Sequence, residues 1–151
     1  MEKIKEILSA TDGIPALTNE QLDSFDRLAE ILVEENRKVN VTSITDPVGI
    51  ALKHFADSLS VLELDEIKKE NIKMADIGCG GGFPGLPVKI VRDDIDITMI
   101  DSTEKKIRYV DATAKKLGLV KVNPLSARAE EIASKNGALR EAFDVVTARA
   151  L

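Results

Sequence analysis

Asp76-Ile77-Gly78-Cys79-Gly80-Gly81-Gly82 sets an acid ahead of glycines at alternate positions, and Asp101 follows at the end of the next apolar run. Glycines there let the chain turn sharply and let a ligand lie against backbone N–H groups at the start of a helix. A carboxylate at the end of the following strand suits a ribose diol, because it can accept from both hydroxyls. Together these features read as a nucleoside-containing cofactor bound at the carboxyl ends of parallel strands. The plainer alternative is a glycine-rich loop that only packs strand to helix.

Two cofactors fit. Gly80, Gly82 and Gly85 match G-x-G-x-x-G, the dinucleotide pattern, and would make the chain an NAD(P)-binding oxidoreductase domain. Two points favour S-adenosylmethionine instead. Asp76 places negative charge where a cationic amino group or sulfonium would be welcome and a pyrophosphate would be repelled. Pro84 and Pro87 remove N–H donors from the helix start, which wastes them for pyrophosphate. Cys79 reads as a small residue that fits the loop, and Phe83-Pro84 as the shaping of its wall.

The elements that must hold these groups are legible in the apolar spacing. A first helix is expected within residues 1–17, stopped near Gly13 and Pro15. Thr18 and Gln21 form a capping-box pattern ahead of Leu22, Phe25, Leu28, Ala29 and Leu32 at helical spacing, predicting a helix to about Glu35. Asp46-Pro47 starts another, carrying His54. From Ile72 the pattern changes to strands at Ile72–Ile77, Ile95–Ile100, Val120–Leu125 and Phe143–Thr147, with helices at Leu86–Val91, Thr103–Leu117 and Ala129–Lys135 between them. Alternating strands and helices mean an α/β parallel sheet with right-handed crossovers. The expected division is a helical region over 1–65 and a cofactor-binding α/β domain over 66–151. Since Leu151 follows the fourth strand closely, the expectation is a sheet truncated after about that strand, or an apolar edge covered by self-association.

The 151 residues carry a net charge of −5, which argues against nucleic-acid binding by the whole surface but leaves room for a local basic face. Such a face is offered by Lys105, Lys106, Arg108, Lys115, Lys116 and Lys121 against Glu104 and Asp111; a solvated helix face explains it as well. One Cys and one His give no zinc spacing, and a lone Cys cannot form an internal disulfide, so a reducing, cytoplasmic compartment is expected. No signal peptide and no membrane-spanning apolar run are expected. His54 and Asp57 fall at i, i+3 and are expected to meet on one helix face; a histidine that docks the helical region onto the sheet is the plain alternative.

DIGCGGGFPGLPVKIV, MIDSTEKKIRYV (Met99–Val110), NVTSITDP (Asn40–Pro47), KHFADS (Lys53–Ser58) and TARA (Thr147–Ala150) together resemble the glucose-inhibited division protein B family, from about Leu17 onward. That resemblance implies a Rossmann-like class I methyltransferase sheet and an S-adenosylmethionine-dependent enzyme that methylates a guanine at N7 in 16S ribosomal RNA, with that RNA or the small ribosomal subunit as partner. It implies that Asp76, Gly78, Gly80 and Gly82 line the methionine end of the cofactor, beside Phe83. Asp101 would hold the ribose, with Ser102 placed to cap the next helix. Ala129 and Glu130 fall where adenine contacts are expected. Arg128, Arg149, Lys105 and Lys106 would face RNA, and Arg149 and His54 are the candidates nearest the chemistry. A surface ion pair is the plain alternative for Arg128, and a non-enzymatic RNA-associating module is the alternative for the chain. The family's aromatic and Tyr around Glu34–Val39, and its last third, have no counterpart here.

Overall fold

The computed structural model describes residues 2–134 and 142–149. Its helical layer begins with α1 (Glu2–Ala10) and α2 (Asn19–Val39). The capping box at α2 is complete: Thr18 Oγ1 accepts from Gln21 N–H at 3.1 Å, and Gln21 Oε1 accepts from Thr18 N–H at 2.9 Å. The helix ends at Asn40 in the left-handed region, φ 55°, whose N–H bonds to Asn36 O. Asp46 caps α3 (Pro47–Gly49) as expected, accepting from Gly49 N–H at 2.8 Å.

The next stretch departs from expectation. Ile50–Ala56 is a π-helix, followed by α4 (Asp57–Leu59) and two 3-10 turns at Ser60–Glu63 and Asp65–Lys68. A π-helix bonds i to i+5, is rare, and is frequent at functional sites. Its wider turn removes the i, i+3 alignment assumed for His54 and Asp57.

The α/β part runs β1 (Lys73–Ile77), α5 (Gly85–Val91), β2 (Asp96–Asp101), α6 (Glu104–Lys116), β3 (Val122–Ser126), α7 (Ala129–Ser134) and β4 (Val145–Ala148). All strands are parallel, in the order β3-β2-β1-β4, a Rossmann-like arrangement. Lys135, the expected end of the last helix, lies outside the described residues, as do Ala150 and Leu151. α6 closes as a Schellman motif: Gly118 N–H bonds to Lys115 O and Leu119 N–H to Ala114 O. Among the described residues β3 and β4 are the outer strands; Pro124 in β3 is tolerated there because an outer strand has spare donors to lose.

One apolar core joins both layers. Met74, Ile97, Met99 and Val145 of the sheet pack under Leu86 and Val88 of α5, continuous with Phe25, Leu28, Leu32 and Phe55 of the helical layer. The Phe25 and Phe55 rings lie 5.1 Å apart, tilted by 47°, a geometry worth about 0.5–1.5 kcal/mol beyond the area it buries. Lys89 in α5 is fully buried, yet its ammonium donates to Asp93 O and Ile95 O at 2.8 and 2.7 Å, which satisfies the charge and closes the turn into β2. Among the described residues no helix is long and apolar enough to cross a membrane.

Candidate cofactor site at the carboxyl ends of the strands

A cavity of about 670 Å³ opens at the carboxyl ends of β1, β2 and β3, lined among others by Gly78, Asp101, Ser102, Arg128, Ala129 and Glu130. That volume falls in the range of small-molecule sites. Each lining group comes from a different connection: the glycine loop after β1, the turn after β2, and the start of α7 after β3. Asp101 ties them together. Its Oδ2 accepts from Gly80 N–H and its Oδ1 from Thr103 N–H, both at 2.9 Å. Each carboxylate oxygen has two acceptor positions, so one on each oxygen is left for a diol.

The glycines differ in what they do. Gly80 has φ +53°, a left-handed conformation that glycine adopts freely, and its N–H is spent on Asp101; it is not among the residues that line the cavity. Gly85 answers to packing: a Cβ there would sit 2.4 Å from Met99 Cε and 3.0 Å from an Asp76 oxygen, so its absence lets α5 lie down on β2.

Asp76 is fully buried beneath the loop. Its Oδ2 accepts from Gly85 N–H at 3.0 Å and its Oδ1 from the Thr147 hydroxyl at 3.3 Å. Desolvation outweighs these hydrogen bonds and the Arg149 charge, and pushes its carboxyl up to about 7. Cys79 is buried too, and burial together with the Asp76 and Asp101 charges pushes its thiol up. A thiol so raised is not a nucleophile at neutral pH.

Across the glycine loop from the cavity, the helical layer and β4 meet. Arg149, just past β4, pairs with Asp57 at 3.1 Å and reaches toward Ser58 Oγ at 3.5 Å. Both partners of the pair are substantially exposed, so it contributes at most about 1 kcal/mol and a competing anion can open it. His54 bonds through Nε2 to Thr42 Oγ1 at 2.7 Å, and its ring stacks on Phe83 with centroids 4.4 Å apart and planes within 4°. Burial, then the Arg149 charge, lower the His54 pKa, so the ring is neutral at pH 7.

With this geometry in hand, comparison with known proteins is decisive. The GidB family model, described as rRNA small subunit methyltransferase G, matches residues 21–151. The chain belongs to this family. Ribosomal RNA small subunit methyltransferase G of Streptococcus sanguinis is 45% identical over 144 residues, covering 95% of this chain and 60% of the relative. The protein of that name from Desulfitobacterium hafniense is 44% identical over 135 residues, covering 89% and 54%. The chain thus spans little more than half the length of these relatives. A solved SAM dependent methyltransferase from Aquifex aeolicus is 28% identical, covering 59% of this chain and 46% of that one, with a TM-score of 0.45.

For this member of the rRNA small subunit methyltransferase G family, the structure gathers Gly78, Asp101, Ser102, Ala129 and Glu130 on one cavity wall, and adds Arg128, expected to face RNA, to the same wall. Four expectations need correction. Asp57 engages Arg149 in place of His54, because the π-helix changes the side-chain spacing. Ser102 does not cap α6: Thr103 is the N-cap residue, and Asp101 takes its backbone N–H. Phe83 is not on the cavity lining: its ring is stacked on His54 of the helical layer. Asp76 lies behind the loop, not on the cavity wall. Of the basic stripe, Arg108, Lys115 and Lys116 have acidic partners in Glu104, Asp111 and Glu35. Lys106 lies near enough to the glycine loop to act on Cys79. Lys105 lines a groove against α2 instead. Asn36, Thr42 and Thr147 carry hydrogen bonds at the site that spacing alone does not assign.

Proposed function

We propose that the cavity holds S-adenosylmethionine and that the chain is the cofactor-binding part of an S-adenosylmethionine-dependent methyltransferase acting on N7 of a guanine in 16S ribosomal RNA. The observation that carries this is the convergence of Gly78, Asp101 and the start of α7 at Ala129 and Glu130 on one cavity of suitable volume. The residues fit the group: Asp101 keeps acceptor positions for a ribose diol, and Gly78, Ala129 and Glu130 line the same cavity, where a base can lie beside them. A dinucleotide fits less well. The Gly85 N–H that a pyrophosphate would use is already taken by buried Asp76, and Pro84 and Pro87 offer no donors.

Bound there, the cofactor supplies an electrophilic methyl group on a sulfonium. Guanine N7 presents a lone pair and no proton on the major-groove edge, so no general base is needed. The protein's part is then orientation and exclusion of water, a contribution that reaches about 7–11 kcal/mol in the best-aligned intramolecular cases. Asp101 fixes the ribose end and the loop at once. Arg149, held loosely by Asp57, meets the RNA at the cleft between β1 and β4, where the strand order reverses. Lys106 and Arg128 add positive charge around the rim. The partner is 16S ribosomal RNA or the small ribosomal subunit, and the setting is the cytoplasm.

The test is transfer of labelled methyl to 16S ribosomal RNA, naked and in small subunits. Label at N7 of a guanine is expected; label in no RNA from a chain that still binds S-adenosylhomocysteine contradicts the substrate assignment. Arg149→Ala is expected to lower methyl transfer at least tenfold, a loss equal to about 1.4 kcal/mol, while changing S-adenosylhomocysteine affinity less than twofold. A matched loss in both would place Arg149 in the cofactor pocket. The exposed Val146 on outer strand β4 supports pairing of two copies through that edge. Light scattering is expected to show concentration-dependent dimers, and a monodisperse monomer would contradict it.

A further inference from the structure

We propose that His54 is a positioning residue: it holds the glycine loop in its ligand-ready shape from the helical layer, through its stack on Phe83. The proposal rests on the cofactor reading above for its functional consequence, but not for its structural content.

Two contacts reach the outer side of the loop, and a third holds the histidine that makes one of them. The His54 ring covers the Phe83 ring in nearly parallel planes. Val41 packs on Gly81 so closely that a Cβ there would lie 3.2 Å from Val41 Cγ2. Thr42 Oγ1 holds His54 Nε2 while accepting from Ile44 N–H at 3.0 Å. The segment that presents Val41 and Thr42 is itself fixed by Asn36, whose Oδ1 accepts from Val41 N–H and Thr42 N–H at 2.7 and 3.0 Å and whose Nδ2 donates to Thr42 O at 2.8 Å. The far side of the loop faces the cavity, where Gly80 N–H bonds to Asp101. The loop is therefore gripped between Asp101 on the ligand side and His54 on the helical side.

The ring itself is not set up for proton transfer. His54 Nδ1 is buried with no hydrogen-bond partner, Nε2 is engaged by Thr42, and Phe83 covers one face. A buried nitrogen without a partner is a cost, and it is retained on a ring whose flat face is in use. Stacking, not acid–base chemistry, is what this environment supports.

Two variants separate these roles. His54→Gln keeps a group able to bond Thr42 and removes the stack; His54→Phe keeps the stack and removes both the bond and the orphaned nitrogen. Amide hydrogen exchange is read at Gly82 and Phe83, whose N–H groups bond to Cys79 O, with β1 amides as internal reference. His54→Gln is expected to speed exchange at Gly82 and Phe83 roughly three- to tenfold, the range an aromatic pair commands, with β1 unchanged. S-adenosylhomocysteine affinity falls by a similar factor. His54→Phe is expected to match the wild type in both. Wild-type loop exchange in His54→Gln, or equal acceleration in loop and β1 in both variants, overturns the proposal. If the wild type binds no S-adenosylhomocysteine, the cofactor reading fails on its own, and the exchange comparison still decides the role of His54.

Discussion

Asp101→Ala is expected to weaken S-adenosylhomocysteine binding by roughly 10- to 100-fold while the chain stays folded. The carboxylate is an acceptor for the proposed ribose diol and also the tie between two backbone segments, through Gly80 N–H and Thr103 N–H. A hydrogen bond to a charged group contributes about 1.5–3 kcal/mol, which by itself corresponds to a loss of that size. The fold does not depend on it, because Asp101 lies at the strand end, partly exposed, outside the apolar core. Titration calorimetry and circular dichroism on the same sample check both halves. Affinity within twofold of the wild type would remove Asp101 from the site.

Asp76→Asn is expected to stabilise the protein above neutral pH and to flatten its stability–pH curve. The carboxyl is fully buried and titrates near 7 in the fold, against 3.8 when exposed. A group whose folded pKa is raised gives its full contribution below the unfolded pKa and loses it as pH rises through the folded value. Wild-type stability is therefore expected to fall between about pH 4 and pH 8. The shift corresponds to about 4 kcal/mol in all. Asparagine keeps the hydrogen bonds: its oxygen can accept from Gly85 N–H and its nitrogen can donate to Thr147 Oγ1, on the sides the carboxylate oxygens now occupy. Urea unfolding at pH 5 and pH 8.5 is the check. The variant should gain about 3–4 kcal/mol over the wild type at the higher pH and only about 1–2 kcal/mol at the lower, where part of the contribution is already lost. Parallel curves would mean that Asp76 is ionised at no cost. An acid kept where an amide is more stable points to a use for its charge, and a several-fold loss of S-adenosylhomocysteine affinity in the same variant is the expected counterpart.

The sequence made the sheet readable because each strand–helix switch is a local change of apolar period, and because the glycines and Asp101 sit at strand ends that this period locates. Capping at Thr18 and Asp46 was equally local. The failures were all contacts set by tertiary geometry. His54 and Asp57 were paired on α-helical spacing, and a π-helix cannot be foreseen from Ile50–Ala56 alone. Phe83 follows the glycines directly, yet its ring partner, His54, is 29 residues away, and nothing in GFPG reveals that contact. Arg128 looked like an RNA contact, yet it follows β3 by two residues and so borders the cavity. Asn36 lies just before a helix end, where an amide is well placed to bond the backbone of Val41 and Thr42 that follows, but an asparagine on a polar helix face carries no such mark in the sequence.

The central claim is that the glycine loop, Asp101 and the start of α7 at Ala129 and Glu130 form an S-adenosylmethionine pocket within these residues. Calorimetric titration of the chain with S-adenosylhomocysteine, with NAD titrated in parallel, tests it most directly. Micromolar binding of S-adenosylhomocysteine at one site, with no heat from NAD, is the expected result. Binding of NAD in preference, or no S-adenosylhomocysteine binding by a chain shown to be folded, would contradict it.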